Sequence, residues 1–579
     1  MRGGKAPSGQ GALPTREHVR VATNQEPTKM ANLRRIISVH SPICSYRANA
    51  VNLHETLTTK LMRTHCHHTL LAATLLAVTL SPAQARHNAH KHDADNGMLC
   101  LAVSTTPSVK NIDGLGVELD PHFLSCNAAA DIGVKEGDWD SIVVPRLRDL
   151  AFSKWRVMVL PSWYEPENDN GTPNETDLTR FTFQSPQMHG LYRQLDLAQQ
   201  DGTPVCLVFW GVRPQTFMLP EQADGWVFGP SQYDEWAENI SVCLQHLLNM
   251  GYTCIKEITP VNEPDWSFTE GSTSRAQRYA MMCEVLEQRL KDDGLREKVQ
   301  FTLSDDSDGG TGRHTFLEDA VRNLPWADLF CSHTYLFGYD TPNDSILSWE
   351  RTNVHLAARA GKRHFVGEFG SNQVVGATRQ RDINRPERGV LMGRIVINLL
   401  NAGAAGASYW SLMDQYYSLS EAQEHRNMQQ LGLWRHLRQE YLNDSTQDYI
   451  PSADYELRPQ YHALRLLSHA VRRGCKVYPI DTRHPFLAAT ALQSPQGKWT
   501  YLLANPTDTM RTIVISNRQM PGRHKMHVQS YQCDTLGKEK NQSQANVVKT
   551  YRKKTRLALP PRSLYRISEE KTSGHRPTM

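Results

Sequence analysis

Ile255-Lys256-Glu257-Ile258-Thr259-Pro260-Val261-Asn262-Glu263-Pro264 is the stretch on which the reading of this 579-residue chain turns. A short apolar run, Ile255 to Thr259, closes in polar residues, Asn262 and Glu263 among them. Seven further runs of this kind surround it: Ile112 to Leu119, Trp155 to Leu160, Val205 to Trp210, Val299 to Ser304, Leu329 to His333, His364 to Gly367 and Ala407 to Leu412. Between them lie segments such as Tyr233 to Met250 and Arg275 to Lys291, whose apolar positions recur at helical spacing. Strands alternating with helices from residue 111 to about 412 form a parallel-sheet pattern. Eight repeats in about 300 residues favour a closed (β/α)8 TIM barrel over an open doubly wound sheet. Gly114-Leu115-Gly116 lies inside the first run, so no phosphate-binding fingerprint follows that strand.

The barrel is expected over 111–474, closing with a helix from Pro459 to Arg472 that ends at Gly474. Short alternating stretches with turn residues between them then follow, such as Trp499-Thr500-Tyr501-Leu502-Leu503 and Thr512-Ile513-Val514-Ile515. They make 475–569 a smaller C-terminal β-sandwich. Residues 86–110 read as a linker, with 98–110 a candidate extra strand for the sandwich, and 570–579 as a frayed tail.

Hydrophobic residues at 39% and charged residues at 21% exclude a disordered chain. A net charge of +4, with the first 60 residues visibly basic, argues against a nucleic-acid partner. The apolar stretch Thr69 to Leu80 is too short to span a bilayer and precedes Ser81-Pro82-Ala83-Gln84-Ala85, a small-residue cleavage site. Residues 62–85 therefore read as a secretory signal and 1–61 as an upstream extension or long leader. A secreted or periplasmic protein without a stable membrane span follows; a buried helix is the competing reading. The composition sets no oligomeric state. Eleven scattered cysteines, two of them upstream of the cleavage site, sit mostly in apolar runs and lack metal-site spacing. One or two disulfides stay open.

Reactive groups in a barrel of this kind sit at the C-terminal ends of strands. Glu263 closes the fourth run and Glu368 the seventh, in Phe365-Val366-Gly367-Glu368-Phe369-Gly370. These strands face each other across the barrel mouth, so the two carboxyls flank a bound molecule. That arrangement suits glycosidic bond cleavage, in which one carboxyl protonates the departing oxygen and the other, ~5–5.5 Å away, attacks the anomeric carbon.

On these residues the chain resembles the retaining glycoside hydrolases of clan A, whose hallmark is Asn-Glu-Pro after strand four and a nucleophilic Glu after strand seven. His333-Thr334-Tyr335 resembles the His-x-Tyr of family 5, and Trp410 the clan's sugar-stacking tryptophan. Asn111 to Gly116, Gln460 to Leu464 and Leu559 to Leu564 are similar to family 30. The resemblance implies Glu263 as acid/base, Glu368 as nucleophile, a poly- or oligosaccharide substrate and no cofactor. Strand three ends in Phe209-Trp210-Gly211, without the histidine often seen there in family 5.

Several neighbours carry two readings each. Asn262 either bonds a sugar hydroxyl or is a turn residue. Arg156 either steers Glu368 by charge or forms an ordinary ion pair. Tyr335 is expected to donate to Glu368, and His333 is either part of the site or a satisfied rim histidine. Trp163, Tyr164, Trp210, Trp266 and Trp410 offer sugar-stacking faces or fill core. Glu118 and Asp120 bind hydroxyls or line a solvated loop. The acidic stretch Asp305-Asp306-Ser307-Asp308-Gly309-Gly310 reads as a loop lining the cleft or, less well, as a calcium site. Two rival classes remain: a non-catalytic glycan-binding protein on the same barrel, which needs neither carboxyl, and, last, a metal-dependent hydrolase or lyase, which needs a His/Asp cluster at the strand ends that the sequence does not offer, so no metal is expected.

Overall fold

The structure, a computed structural model, describes residues 98–121, 134–167, 170, 172, 175–210, 231–268, 273–307, 312–375, 379–416, 428–429, 431–435, 437–439, 449–451, 455–520, 524–533, 539–551 and 554–570. The signal and leader readings, the linker up to residue 97 and the tail from 571 lie outside them.

Eight parallel strands close into a barrel in chain order: Gly114–Leu119, Lys154–Val159, Val205–Phe209, Ile255–Thr259, Gln300–Asp306, Leu329–Thr334, His364–Phe369 and Gly406–Tyr409. Strand eight returns to strand one, Ala407 opposite Leu115, with every strand-one residue buried. Closure removes both sheet edges and makes the interior a packed core. Helices Ser231–Asn249 and Arg275–Asp292 cover the outside, the second opened by a capping box between Ser274 and Gln277.

Strand boundaries differ from the sequence reading where polar residues lie inside strands. Lys154 begins strand two, Glu368 is the fifth of six residues in strand seven, and strand five continues through Asp305 and Asp306. Each finds a partner across the barrel interior, which a period along one strand does not display. The helix Pro459–Ser468 is shorter than expected, and the chain then turns at Gly474, φ 85°.

The C-terminal part is a six-stranded antiparallel sheet packed on a three-stranded one. The smaller sheet takes Met98–Ala102 in parallel beside Arg511–Ser516, with Lys554–Leu559 on the other side. The larger sheet lies on the barrel through helix Pro386–Ala402, which is buried nearly all round. A β-carbon at Gly389 would stand 2.8 Å from both Ala463 and Tyr531, and one at Gly393 2.5 Å from Leu564. Only glycine lets helix and sheet approach this closely. Tyr531 seals the contact by donating to the Pro386 carbonyl at 2.6 Å. Barrel and sandwich belong to one compact unit. The eight described cysteines are free and seven of them buried. Among the described residues no helix is long and apolar enough to cross a membrane.

Candidate active site

Arg156 projects from strand two into the upper barrel and is 3% exposed. Its Nη1 donates to Glu118 Oε2 at 2.8 Å and to Glu368 Oε1 at 2.7 Å. Its Nη2 donates to Asn262 Oδ1 at 2.6 Å and to Asp305 Oδ2 at 2.7 Å. One guanidinium thus gathers the ends of strands one, four, five and seven. Burial disfavours its charge, yet Asp305, Glu118 and Glu368 outweigh burial and hold it firmly protonated.

His333, from strand six, lies between carboxyls. Nδ1 is 3.0 Å from Glu263 Oε1 and 3.5 Å from Glu368 Oε2, and Nε2 is 3.0 Å from Asp305 Oδ1. Burial opposes its charge, but Glu368 and Asp305 raise its pKa well above the ordinary histidine value. As imidazolium it donates from both nitrogens. Tyr335 donates to Glu368 Oε2 at 2.7 Å. Glu368 is 4% exposed, and burial, reinforced by Glu263, raises its pKa from the ordinary glutamate value against the opposing pull of His333, Arg156 and Tyr335.

Glu263 stands four residues beyond strand four at the start of the one-turn helix Pro264–Ser267. Its φ is 45°, and its N–H donates to the Asp305 carbonyl at 3.1 Å. A non-glycine residue held in this left-handed region is the kind of constraint that collects at functional sites. Glu263, His333 and Glu368 each place a ligand atom within 4.8 Å of the others. This His/Glu group was not foreseen from the sequence and has the donors for a metal. The donors fit a cation poorly, because Arg156 already occupies Glu368 Oε1 and His333 is itself positively charged.

Asp305 lies elsewhere than the sequence predicts. The expected loop 305–310 begins inside strand five, where Ser304 and Asp305 have φ 77° and 52° and the pairing to strand six shifts register. Such a bulge re-aims a side chain. Asp305 turns inward onto Arg156 and His333, which outweigh burial and hold its carboxyl well below the usual range. Asp306 accepts from Ser304 and Ser332, so neither residue is arranged for calcium. The available signal was its place at a strand end.

Glu118 also departs from expectation. It lies within strand one, 1% exposed, behind Arg156 and away from any solvated loop. Burial raises its pKa well above the carboxylate value, opposed by Arg156 and reinforced by Glu368 and Asp120. Asp120 is buried as well. Trp163 and Tyr164 are core residues. Trp210 and Trp410 stack on each other, centroids 5.4 Å apart and planes within 4°, so they form one aromatic wall rather than two platforms. Trp266 is 56% exposed, its indole N–H fixed on Ser307 Oγ at 2.6 Å.

No family model and no curated protein matches the chain. Solved structures do. A family 30 subfamily 8 xylanase from Clostridium acetobutylicum superposes with TM-score 0.53 at 12% identity, over 81% of this chain and 98% of its own. Xylanase C of family 30 from Talaromyces cellulolyticus gives 0.53 at 16%, over 81% and 99%. An endo-β-1,6-glucanase gives 0.51 at 14%, over 83% and 96%. The likeness is one of fold: the chain resembles the clan A glycoside hydrolases in its closed parallel barrel and C-terminal sheet domain.

Proposed function

We propose that the protein is a secreted retaining glycoside hydrolase that cleaves β-glycosidic bonds in a poly- or oligosaccharide by double displacement. The observation that carries this reading is the approach of Glu263 and Glu368 oxygens to within 4.8 Å from opposite sides of the barrel mouth. Retaining enzymes place the two carboxyls ~5–5.5 Å apart, whereas inverting enzymes leave ~6.5–9.5 Å for a water.

Glu368 reacts as the carboxylate, steadied by Arg156 on one oxygen and Tyr335 on the other, and attacks the anomeric carbon. Glu263 gives its proton to the departing oxygen as the glycosidic C–O bond breaks, leaving a glycosyl ester on Glu368. In the second half Glu263 takes a proton from water, whose oxygen attacks the same carbon and frees Glu368. The doubly anchored His333 imidazolium faces both carboxyls, so it steadies negative charge on whichever one carries it. Asn262 turns its oxygen to Arg156, which leaves its NH2 end to meet a sugar hydroxyl. The Trp210–Trp410 wall and Trp266 supply apolar faces for sugar rings. The Thr69 to Leu80 segment with its cleavage site supports secretion. Endo action is favoured because two neighbours, an endoxylanase and an endo-β-1,6-glucanase, carry it in their names.

Proton NMR of the first product from a panel of plant, fungal and host polysaccharides tests the reading. Initial release of the β-anomer, and a 2-deoxy-2-fluoro glycoside label on the peptide containing Glu368, are expected. Initial release of the α-anomer, or a label on another carboxylate, would overturn it.

A further inference from the structure

The two domains carry opposite charge. Residues 111–474 hold thirty-three Lys and Arg against forty-nine Asp and Glu, a net of −16. Residues 475–569 hold sixteen against five, a net of +11. Such asymmetry within one compact unit creates a field that attracts polyanions to one end and repels them from the other.

The basic end has a built face. The larger sheet is covered by the barrel, so the outer side of the three-stranded sheet is what the sandwich presents to solvent. Its inward positions are Leu99, Leu101, Ile513, Ile515, Leu557 and Leu559. Alternation therefore turns Cys100, Val514 and Arg556 outward in one cross-strand row and Ala102, Ser516 and Lys554 in the next. Lys554 and Arg556 are exposed, and Arg518, exposed as well, follows Ser516 by two residues at the same end of the sheet. The outward row positions from residues 98–102, 512–516 and 554–558 include no acid. Among the described residues no carboxylate pairs with Arg518, Lys554 or Arg556, whereas Asp508 is held by Arg562 at 2.6 Å and Glu569 by His524 at 2.5 Å. Two acids of this domain are thus held by bases of their own, while Arg518, Lys554 and Arg556 face outward.

We propose that this sheet face docks a polyanionic polysaccharide, one bearing carboxylate groups along its length, and so anchors the catalytic barrel beside it. Charge complementarity selects the ligand. The face carries no aromatic side chain for stacking bases, which disfavours a nucleic-acid strand. Among the described residues the large exposed apolar side chains of this part are Met98 and Met510, without the Trp or Phe that seat a protein in a bilayer interface. A strand of polysaccharide also meets the basic face alone, while an extended anionic surface brings its field to the acidic barrel too.

The test uses the full chain, polygalacturonate as probe, neutral dextran as control, and vesicles of phosphatidylcholine with phosphatidylglycerol as the competing surface. Retention on polygalacturonate is expected, weakening at least tenfold between 50 and 200 mM salt, the fall that release of about two counterions produces. The variant R518E/K554E/R556E should lose at least tenfold in retention at low salt, while turnover of a small aryl glycoside stays within twofold. The neutral variant R518Q/K554Q/R556Q should fall between, and serves alone if the charge-reversed chain does not fold. Equal retention of variant and parent, equal binding to dextran, or preference for the vesicles overturns the proposal. Because binding is read separately from turnover, loss of the docking proposal leaves the hydrolase reading intact, and the reverse.

Discussion

Lys154 and Arg156 stand two residues apart on one strand, both point into the barrel and both are almost wholly buried, yet they serve opposite ends. Lys154 makes a closed pair with Glu257, which also accepts from Thr302 at 2.7 Å, and its ammonium lies 4.2 Å over the Phe365 ring. Burial works against both charges, but each partner wins: the lysine pKa is raised and the glutamate pKa lowered. One layer higher, Arg156 meets three carboxyls, and His333 joins two of them to Glu263. Two of that crowd, Glu368 and Glu118, have pKa values pushed up rather than down. A balanced buried pair stabilises one ionic state. An overfilled cluster holds carboxyls near the point of exchanging protons, which is what acid and nucleophile chemistry uses.

Breaking each layer separates the two roles. Glu368→Gln should lower steady-state hydrolysis by at least about 10³-fold, since an amide forms no ester intermediate, while melting temperature holds. A variant above one-tenth of parental rate would place the nucleophile elsewhere. In the lower layer, Lys154→Met should leave the Glu257 charge buried without its ammonium partner, at a cost of about 3–5 kcal/mol in denaturant unfolding. Activity per folded molecule should be kept. The double variant K154M/E257L removes both charges and should regain most of that loss, to within about 2 kcal/mol of parent. A double variant as unstable as the single would show that the pair does more than balance itself.

Glu263→Ala probes the exchange of protons directly. Substrates with poor leaving groups should slow by roughly 10²–10⁴-fold and activated aryl glycosides far less, because only the former need a proton on the departing oxygen. Added azide should restore turnover as a glycosyl azide. Equal losses on both substrates without rescue would remove Glu263 from the acid role.

The same contrast explains what the sequence disclosed. Glu263 and Glu368 were legible because each ends or nearly ends an apolar run, and eight such runs define a barrel whose strand ends face one mouth. Asp305 was not, because Asp305 to Gly310 reads as an acidic loop after the run that ends at Ser304, while the bulge that aims Asp305 inward is a property of pairing with strand six. Lys154 and Glu257 are silent in the sequence for the same reason: a charge inside a strand is sensible only through a partner on another strand. The Trp210–Trp410 stack joins residues 200 positions apart and needed the closed barrel to appear.

The smallest expected effect concerns Glu118, whose neighbours Arg156, Glu368 and Asp120 face it within the upper layer. Its Oε2 accepts from Arg156, while Oε1 is buried and, among the described residues, accepts no hydrogen bond. Burying a carboxylate charge is costly, so the neutral acid is the form that suits the site. Its folded pKa is raised above the unfolded value near 4.5, so the folded state retains a proton that the unfolded chain releases. Stability from this group is therefore full below the unfolded pKa and declines as pH rises toward the folded one, by at most about 1.4 kcal/mol per pH unit. Glu118→Gln keeps an acceptor for Arg156 and cannot ionise. Its melting temperature should match the parent at pH 4 and rise above it progressively from pH 5 to 8, with turnover near parental. A constant offset across that range would mean that Glu118 is ionised in the folded protein, and the upper layer would then carry one more negative charge than its two cations balance.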